Sequence, residues 1–269
     1  MWYSNFRSGI DRSLEVLVQH GMVVDPGRWQ GIDTTGKPDL ETLELLNLQL
    51  EVPVPDILTL QADIQPNLPW ADMEFEERVG GTPRNPHHSL EQWPWWHGQS
   101  GQTMYEGMFS HTYSERFWPK RAGDKWKRPT HMTGIRYEYG DLNDVVNLLV
   151  RHPHTRQATF PIFFPEDTGA VHGGRIPCTL HYHFLLRGDL LHMWYPIRSC
   201  DAVRHFRDDL YMACRLLLWV IQACGDAVDE DTDRDDFSWH NVRSGTLNFT
   251  AYSFHIHKGD LHRVLDRPQ

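Results

Sequence analysis

The stretch RIPCTLHYHFLLRGDLLHMWYPIRSCD, residues 175–201, sets a thiol and a guanidinium at matching distances from a turn. Two apolar, aromatic-rich runs flank Arg187-Gly188-Asp189, a composition that predicts a β-hairpin. With the turn centred on Gly188, paired residue numbers sum to 376, so Cys178 faces Arg198, with Cβ atoms about 5 Å apart. A two-residue turn instead makes that contact diagonal. A cation beside a cysteine favours thiolate over thiol, and the thiolate is the nucleophile. The bland alternative is a buried cysteine that only packs, the commonest fate of a reduced thiol.

Asp209 is the second unusual residue. In the helix predicted over 205–224 the apolar stripe runs Phe206, Leu210, Ala213, Leu217 and Val220. Asp209 lies three residues after Phe206 and four before Ala213. A lone carboxylate on a buried stripe must find a partner or take up a proton. An acid in the first turn of a helix is also favoured by the helix dipole alone, and the spacing leaves both readings open. Asp208 points about 100° away and is expected to be an ordinary exposed acid.

The 17 histidines include two H-x-H pairs, His181/His183 and His255/His257. Residues i and i+2 of a strand share a face, so either pair could hold a metal. No Asp or Glu stands at ligand spacing beside either pair, and no metal is expected. The sequence has no phosphate loop, no dinucleotide-binding glycine motif and no serine-hydrolase elbow.

These residues need elements to hold them. LETLELLNLQLEV (40–52) has helical apolar spacing and ends at proline. Residues 80–130, rich in Gly, Pro, Trp and His, predict long ordered loops packed by aromatics, the kind of segment that lines a site. DLNDVVNLLV (141–150) reads as a helix with Asp141 as N-cap. RQATFPIFF (156–164) reads as a strand, followed by the hairpin, the long helix, a solvated acidic loop at 228–236 and a last strand at 246–257. The fold class is α+β, an antiparallel or mixed sheet with one long buried helix.

At 40% hydrophobic residues the chain can bury one sizeable core. Its net charge of −10 argues against binding a nucleic-acid polymer, although a small anion can still sit in a locally basic pocket. No run of 18 apolar residues and no basic-then-apolar leader occurs, so no membrane partner is expected. Four cysteines without CxxC or framework spacing fit a reducing, cytoplasmic setting.

Taken together, these residues resemble the active-site core of the thymidylate synthase family. The signature is PC-(x)19-RSCD, from Pro177 to Asp201. HPHTRQATF (152–160) resembles the family's helix-then-strand segment whose arginines reach the partner subunit's phosphate site. TAYSFHIH (250–257) resembles the strand whose His and Tyr hold the sugar hydroxyl. The resemblance covers residues 140–260 well and 70–120 loosely. It implies a thymidylate-synthase-like fold spanning residues 1–269 as a single domain, with 1–70 as a divergent N-terminal helical extension. It also implies an obligate-type homodimer that binds a pyrimidine nucleoside monophosphate and folate, with 5,10-methylenetetrahydrofolate as cofactor.

Carried over residue by residue, the resemblance implies Cys178 as nucleophile and Arg198 and Ser199 as phosphate ligands, with Arg156 arriving from the second subunit. Asp201 corresponds to the acid facing the folate, His255 and His257 to the sugar contacts, and Tyr113 in SHTYSERFW to the tyrosine near the cysteine. Glu74 in MEFEERVGG is placed by the Gly81-Thr82 that follows as the water-ordering glutamate, with Glu76 and Glu77 as competitors.

The departures from the pattern are specific. Gln157 replaces the second arginine of a pair, His257 stands where a tyrosine is usual, and Thr179 replaces the histidine after the cysteine. Asp209, eleven residues after Arg198, occupies the place of the base-reading asparagine. An amide can pair with uracil. A carboxyl can accept from cytosine N4–H2 and, when protonated, supply N3. That exchange resembles the deoxycytidylate hydroxymethylases of phages and related cytidylate hydroxymethylases, which make modified DNA precursors. The chain ends 14 residues after His255, before the family's closing tail, which favours water at the site. The expected activity is therefore 5-hydroxymethylation of (d)CMP through a Cys178–C6 adduct. The alternatives are a thymidylate synthase or C5-methyltransferase, and a non-catalytic nucleotide-binding homologue.

Overall fold

The computed structural model describes residues 1–29, 32–95, 104–105, 107–122, 140–168, 176–228 and 237–265. The helices are α1 (Phe6–His20), α2 (Ile57–Ile64), α3 (Trp70–Val79), α4 (Tyr113–Phe117), α5 (Pro119–Ala122), α6 (Leu142–Arg151), α7 (Phe206–Asp226) and α8 (His262–Leu265). The strands are β1 (Met22–Val24), β2 (Arg28–Trp29), β3 (Ile32–Asp33), β4 (Thr42–Pro53), β5 (Met104–Tyr105), β6 (Met108–Phe109), β7 (Thr159–Pro161), β8 (His181–Arg187), β9 (Leu190–Asp201) and β10 (Arg243–His257). Among the described residues one large sheet runs β1-β4-β10-β9-β8-β7. β10 and β9 are parallel and the other pairs antiparallel, so the sheet is mixed and the class α+β. No described helix is long and apolar enough to cross a membrane.

Residues 40–52, expected as a helix, fall for the most part in β4 (Thr42–Pro53). From Leu48 onward the run alternates strictly: Leu48, Leu50 and Val52 are buried, while Gln49 and Glu51 are exposed. The helical spacing is a coincidence of a phase slip at Leu46-Asn47, where Asn47 takes a left-handed φ of 59°, a conformation asparagine tolerates. β10 slips at Tyr252-Ser253, between buried Ala251 and Phe254, and β9 at Arg198-Ser199, between buried Ile197 and Cys200. The register puts these slips side by side across three strands, since Ser253 pairs with both Leu46 and Ser199. A bulge re-aims side chains, and this row of bulges is where Arg198 and Ser199 leave the regular alternation.

The hairpin turns on two residues, Gly188-Asp189, so β8 and β9 pair with numbers summing to 377, as in Phe184↔Met193. A one-residue shift then restores 376 at Thr179↔Ile197. Arg198 N–H donates to Cys178 O at 2.8 Å, so the expected pairing holds despite the different turn. The expected strand 156–164 is shorter, at Thr159–Pro161.

α7 lies against one face of the sheet, its buried Phe206 packed 4.7 Å from the Phe254 ring and 5.6 Å from Phe249. Asp208, expected to be exposed, is 1% exposed. Its carboxylate accepts from Asn67 N and Nδ2, both at 2.7 Å. The reason is the neighbouring segment: Asn67 precedes α3, so Asp208 on α7 fixes where α3 begins. Arg215 of α7 adds a 2.6 Å ion pair to Asp72 of α3. At the other end of α3, Gly81 adopts φ +74° and its carbonyl accepts from Arg121 Nη1. A Cβ there would run into that guanidinium. α3 is thus held at both ends, which matters because it carries Glu74.

Candidate active site

A cavity of about 150 Å³ opens beside the N-terminal turns of α7. Its wall includes Cys178, Glu74, Tyr113, Ser199 and Asp209, five residues singled out from sequence, and Arg78 and His87, which were not. Burial separates the cysteines: Cys178 is half-buried in the cavity wall, while Cys200, Cys214 and Cys224 are buried. Burial also pushes the Cys200 and Cys214 thiols well up, so they stay protonated.

The Arg198 guanidinium does not line the cavity and spends two donors on the chain just before Cys178. Nε donates to Pro177 O at 2.9 Å and Nη2 to Ile176 O at 3.0 Å. It therefore braces the loop that presents Cys178. Beneath the cysteine, Thr179 Oγ1 donates to Tyr113 Oη at 3.2 Å and lies 3.1 Å from Tyr195 Oη. Burial pushes the Tyr113 hydroxyl up to about 12, so it keeps its proton.

Glu74 is 6% exposed and fully engaged. Oε1 accepts from Arg78 Nε at 2.9 Å, and Oε2 accepts from Ser89 Oγ at 2.9 Å and meets His87 Nδ1 at 2.6 Å. His87 Nε2 in turn lies 2.7 Å from Ser114 Oγ. Burial alone would raise the Glu74 carboxyl, but His87 and Arg78 outweigh it and hold the group well below the usual range. Glu74 is therefore a fixed anion. Of its two competitors, Glu76 pairs with Arg215 at 2.6 Å and Glu77 accepts from His88 N and Ser89 N; neither lines the cavity.

Asp209 has the opposite environment. Burial raises its carboxyl to about 7; Arg78 opposes the shift, and Asp208 and Asp201 add to it. Among the described residues its hydrogen-bond partner is the weak Cys200 thiol, at 4.0 Å. Asp209 is half-buried in the first turn of α7, so it combines the two positions left open by the sequence: a helix N-terminal acid, and a carboxyl that desolvation pushes toward its protonated form.

Asp201, His255, His257 and Arg156 do not line the cavity. Asp201 Oδ1 accepts from Val203 N and Arg204 N, both at 2.9 Å, which ties it to the turn before α7. Asp201 also supplies what the histidine pair lacked in sequence. One ligand atom each from Asp201, His255 and His257 lie within 4.8 Å of one another, because β9 and β10 pair His255 with Asp201. Arg156 is exposed just before the edge strand β7. Arg78 had one legible signal, its i+4 position after Glu74. His87 had none, being brought in by a loop.

The architecture, a kinked mixed sheet with the cysteine hairpin and a long helix on one face, is the thymidylate synthase fold. The chain is similar to the thermostable thymidylate synthase A from Bacillus subtilis over 99% of its own length and 86% of that chain, with a TM-score of 0.67 and 15% sequence identity. No family model matches the sequence, and no curated protein matches it. The likeness is one of fold.

Proposed function

We propose that the protein transfers a one-carbon unit to C5 of (d)CMP, giving the 5-hydroxymethyl nucleotide, with 5,10-methylenetetrahydrofolate as donor. The observation that carries this reading is the place of the Asp209 carboxyl, in the wall of the cavity that holds Cys178, where burial raises it to about 7. One oxygen accepts from cytosine N4–H2, and the proton is shared with N3. Uracil O4 is a far weaker base than cytosine N3, so the same proton is worth less there. An ionised carboxylate would meet O4 lone pair to lone pair.

In this reading the Cys178 thiolate adds to C6, negative charge moves toward N3, and C5 becomes nucleophilic. Asp209 holds the proton at N3 against that charge. Tyr113, which accepts from Thr179, keeps its own O–H for the cavity beside Cys178. Glu74, a fixed anion, orders water. Arg198 and Ser199 hold the phosphate end. The folate fits the aromatic wall: Trp70 and Trp93 lie 5.8 Å apart, Trp93 stacks on His205, and the Nε1 atoms of both tryptophans are buried without a partner among the described residues. Such donors suit a flat heterocycle rich in acceptors. Bound there, methylenetetrahydrofolate supplies carbon at the oxidation level of formaldehyde.

Tritium release from [5-³H]dCMP that depends on the folate, with a 5-hydroxymethyl product by mass spectrometry, is the expected result. Release from [5-³H]dUMP alone would overturn the cytosine reading. Release from neither substrate would overturn the enzymatic one.

The reading includes a homodimer. The sheet face opposite α7 exposes Leu46 (63%), Tyr252 (50%) and Trp194 (38%). Arg156, at the sheet edge, can then serve a neighbouring copy. Placing a charge in the centre of such an interface costs several kcal/mol. Trp194→Glu is accordingly expected to turn a dimer into a monomer in sedimentation equilibrium. A wild-type chain that sediments as a monomer at micromolar concentration sinks this part of the proposal.

A further inference from the structure

Arg78 has no counterpart in the cysteine, arginine and aspartate pattern, yet it is buried (5% exposed) in the wall of the same cavity. Among the described residues lining the cavity it is the one Lys or Arg. Three contacts fix it. Nε donates to Glu74 at 2.9 Å, the guanidinium carbon lies 4.0 Å from the Tyr113 ring centroid, and its backbone carbonyl accepts from Trp118 Nε1 at 2.8 Å. Its side-chain hydrogen bond among the described residues runs through Nε alone, and Arg78 lines the cavity. The Asp209 carboxyl, in that cavity, has only the Cys200 thiol as hydrogen-bond partner among the described residues. We propose that Arg78 is a positioning residue that sets the charge on Asp209, and through it the pyrimidine that the cavity accepts. The second half of that statement rests on the cytidylate reading; the first does not.

The groups acting on Asp209 come from several elements. α3 brings Arg78, with Glu74 compensating it. α7 brings Asp208, and β9 brings Asp201, Cys200 and Tyr195. Tyr113, Tyr182 and Cys178 complete the near shell, and His87, His111 and His205 line the cavity. The tyrosines and Cys200 hold their protons, since burial raises each of them. Arg78 is the one group named here that holds the Asp209 carboxyl down; burial and the two aspartates push it up. Without Arg78 the carboxyl stays neutral to higher pH and keeps the proton that cytosine N3 needs. A stronger uncompensated cation ionises it earlier and removes that proton.

Two substitutions should move Asp209 in opposite directions. Arg78→Gln removes a cation and is expected to raise its midpoint by about one unit or more; Glu74→Gln uncovers the cation and should lower it. Arg78→Lys, which keeps the charge, should stay close to wild type. The readout is the infrared band of the protonated carboxyl in the nucleotide-free protein, titrated with pH. Subtracting Asp209→Asn isolates it from Glu115, which burial also raises to about 7. A midpoint that stays fixed in Arg78→Gln overturns the proposal. If that variant does not fold, a midpoint that fails to fall in Glu74→Gln overturns it. Calorimetric titration with dCMP is the second arm: the pH at which affinity is lost should follow the infrared midpoint. If the band moves but neither dCMP nor dUMP binds, the cytidylate reading fails while the coupling between Arg78 and Asp209 stands.

Discussion

Replacing Cys178 by alanine is expected to abolish folate-dependent tritium release from [5-³H]dCMP, a loss of more than about 10⁴-fold in kcat/KM, the scale on which covalent catalysts lose rate when the nucleophile is removed. Nucleotide binding should survive, because the residues proposed to read the base and phosphate are untouched. The structure sharpens this expectation in two ways. Cys178 is the half-buried cysteine in the cavity wall, and the other three are buried. Alkylation with iodoacetamide should therefore modify Cys178 first, inactivate in step with that modification, and be slowed by dCMP. Arg198 braces the loop through Pro177 O and Ile176 O, so Arg198→Ala should loosen the cysteine as well as the phosphate end. Full activity in Cys178→Ala would remove the nucleophile, and with it the covalent mechanism.

The parts of this site that could be read from sequence share a property: each lies within one element or within one turn of its partner. The cysteine hairpin is local, so a guess at its turn was enough to pair Cys178 with Arg198. A compensating shift of one residue kept the pair correct when the turn proved shorter. Asp209 was legible because it interrupts an apolar stripe. What failed was either irregular or distant. The slip at Leu46-Asn47 gave β4 a helical period, and no local signal marks it as a bulge stacked on two others. The angle of Asp208 on α7 predicts exposure, but it packs against Asn67, some 140 residues away in sequence. The third group beside His255 and His257 sits on the neighbouring parallel strand, so only the register of β9 on β10 could supply it. The chain from Ser114 through His87 to Glu74 joins a helix, a loop and another helix by contacts of 2.7 and 2.6 Å. Residues 96–103, 106 and 123–130 of the loop-rich stretch at 80–130 lie outside the described residues, as does most of the acidic loop.

Asp209→Asn is the substitution with the most informative pair of outcomes. An amide offers one acceptor and one donor in fixed positions, so it pairs with uracil N3–H and O4 and loses the proton that cytosine N3 requires. A good bidentate contact is worth about 1–3 kcal/mol of discrimination. Losing it for cytosine and gaining it for uracil should reverse the dCMP/dUMP ratio of kcat/KM by roughly 10²–10⁴-fold. The pH profile should change as well. Wild-type activity on dCMP should fall as pH rises through about 7, where Asp209 ionises, and that limb should vanish in the asparagine variant. Stability gives an independent check with a definite sign. The folded carboxyl titrates near 7 and the unfolded one near 4, so the folded state binds the proton more tightly. The stabilising contribution is complete below about pH 4, falls through the interval, and is gone above 7. Over that window the wild type should lose on the order of 3–4 kcal/mol relative to Asp209→Asn, read as converging or crossing denaturation midpoints. Parallel stability curves for the two proteins would mean that Asp209 is ionised throughout. The cavity would then hold a fixed Asp209–Arg78 charge pair, and its preference for cytosine would have no proton to rest on.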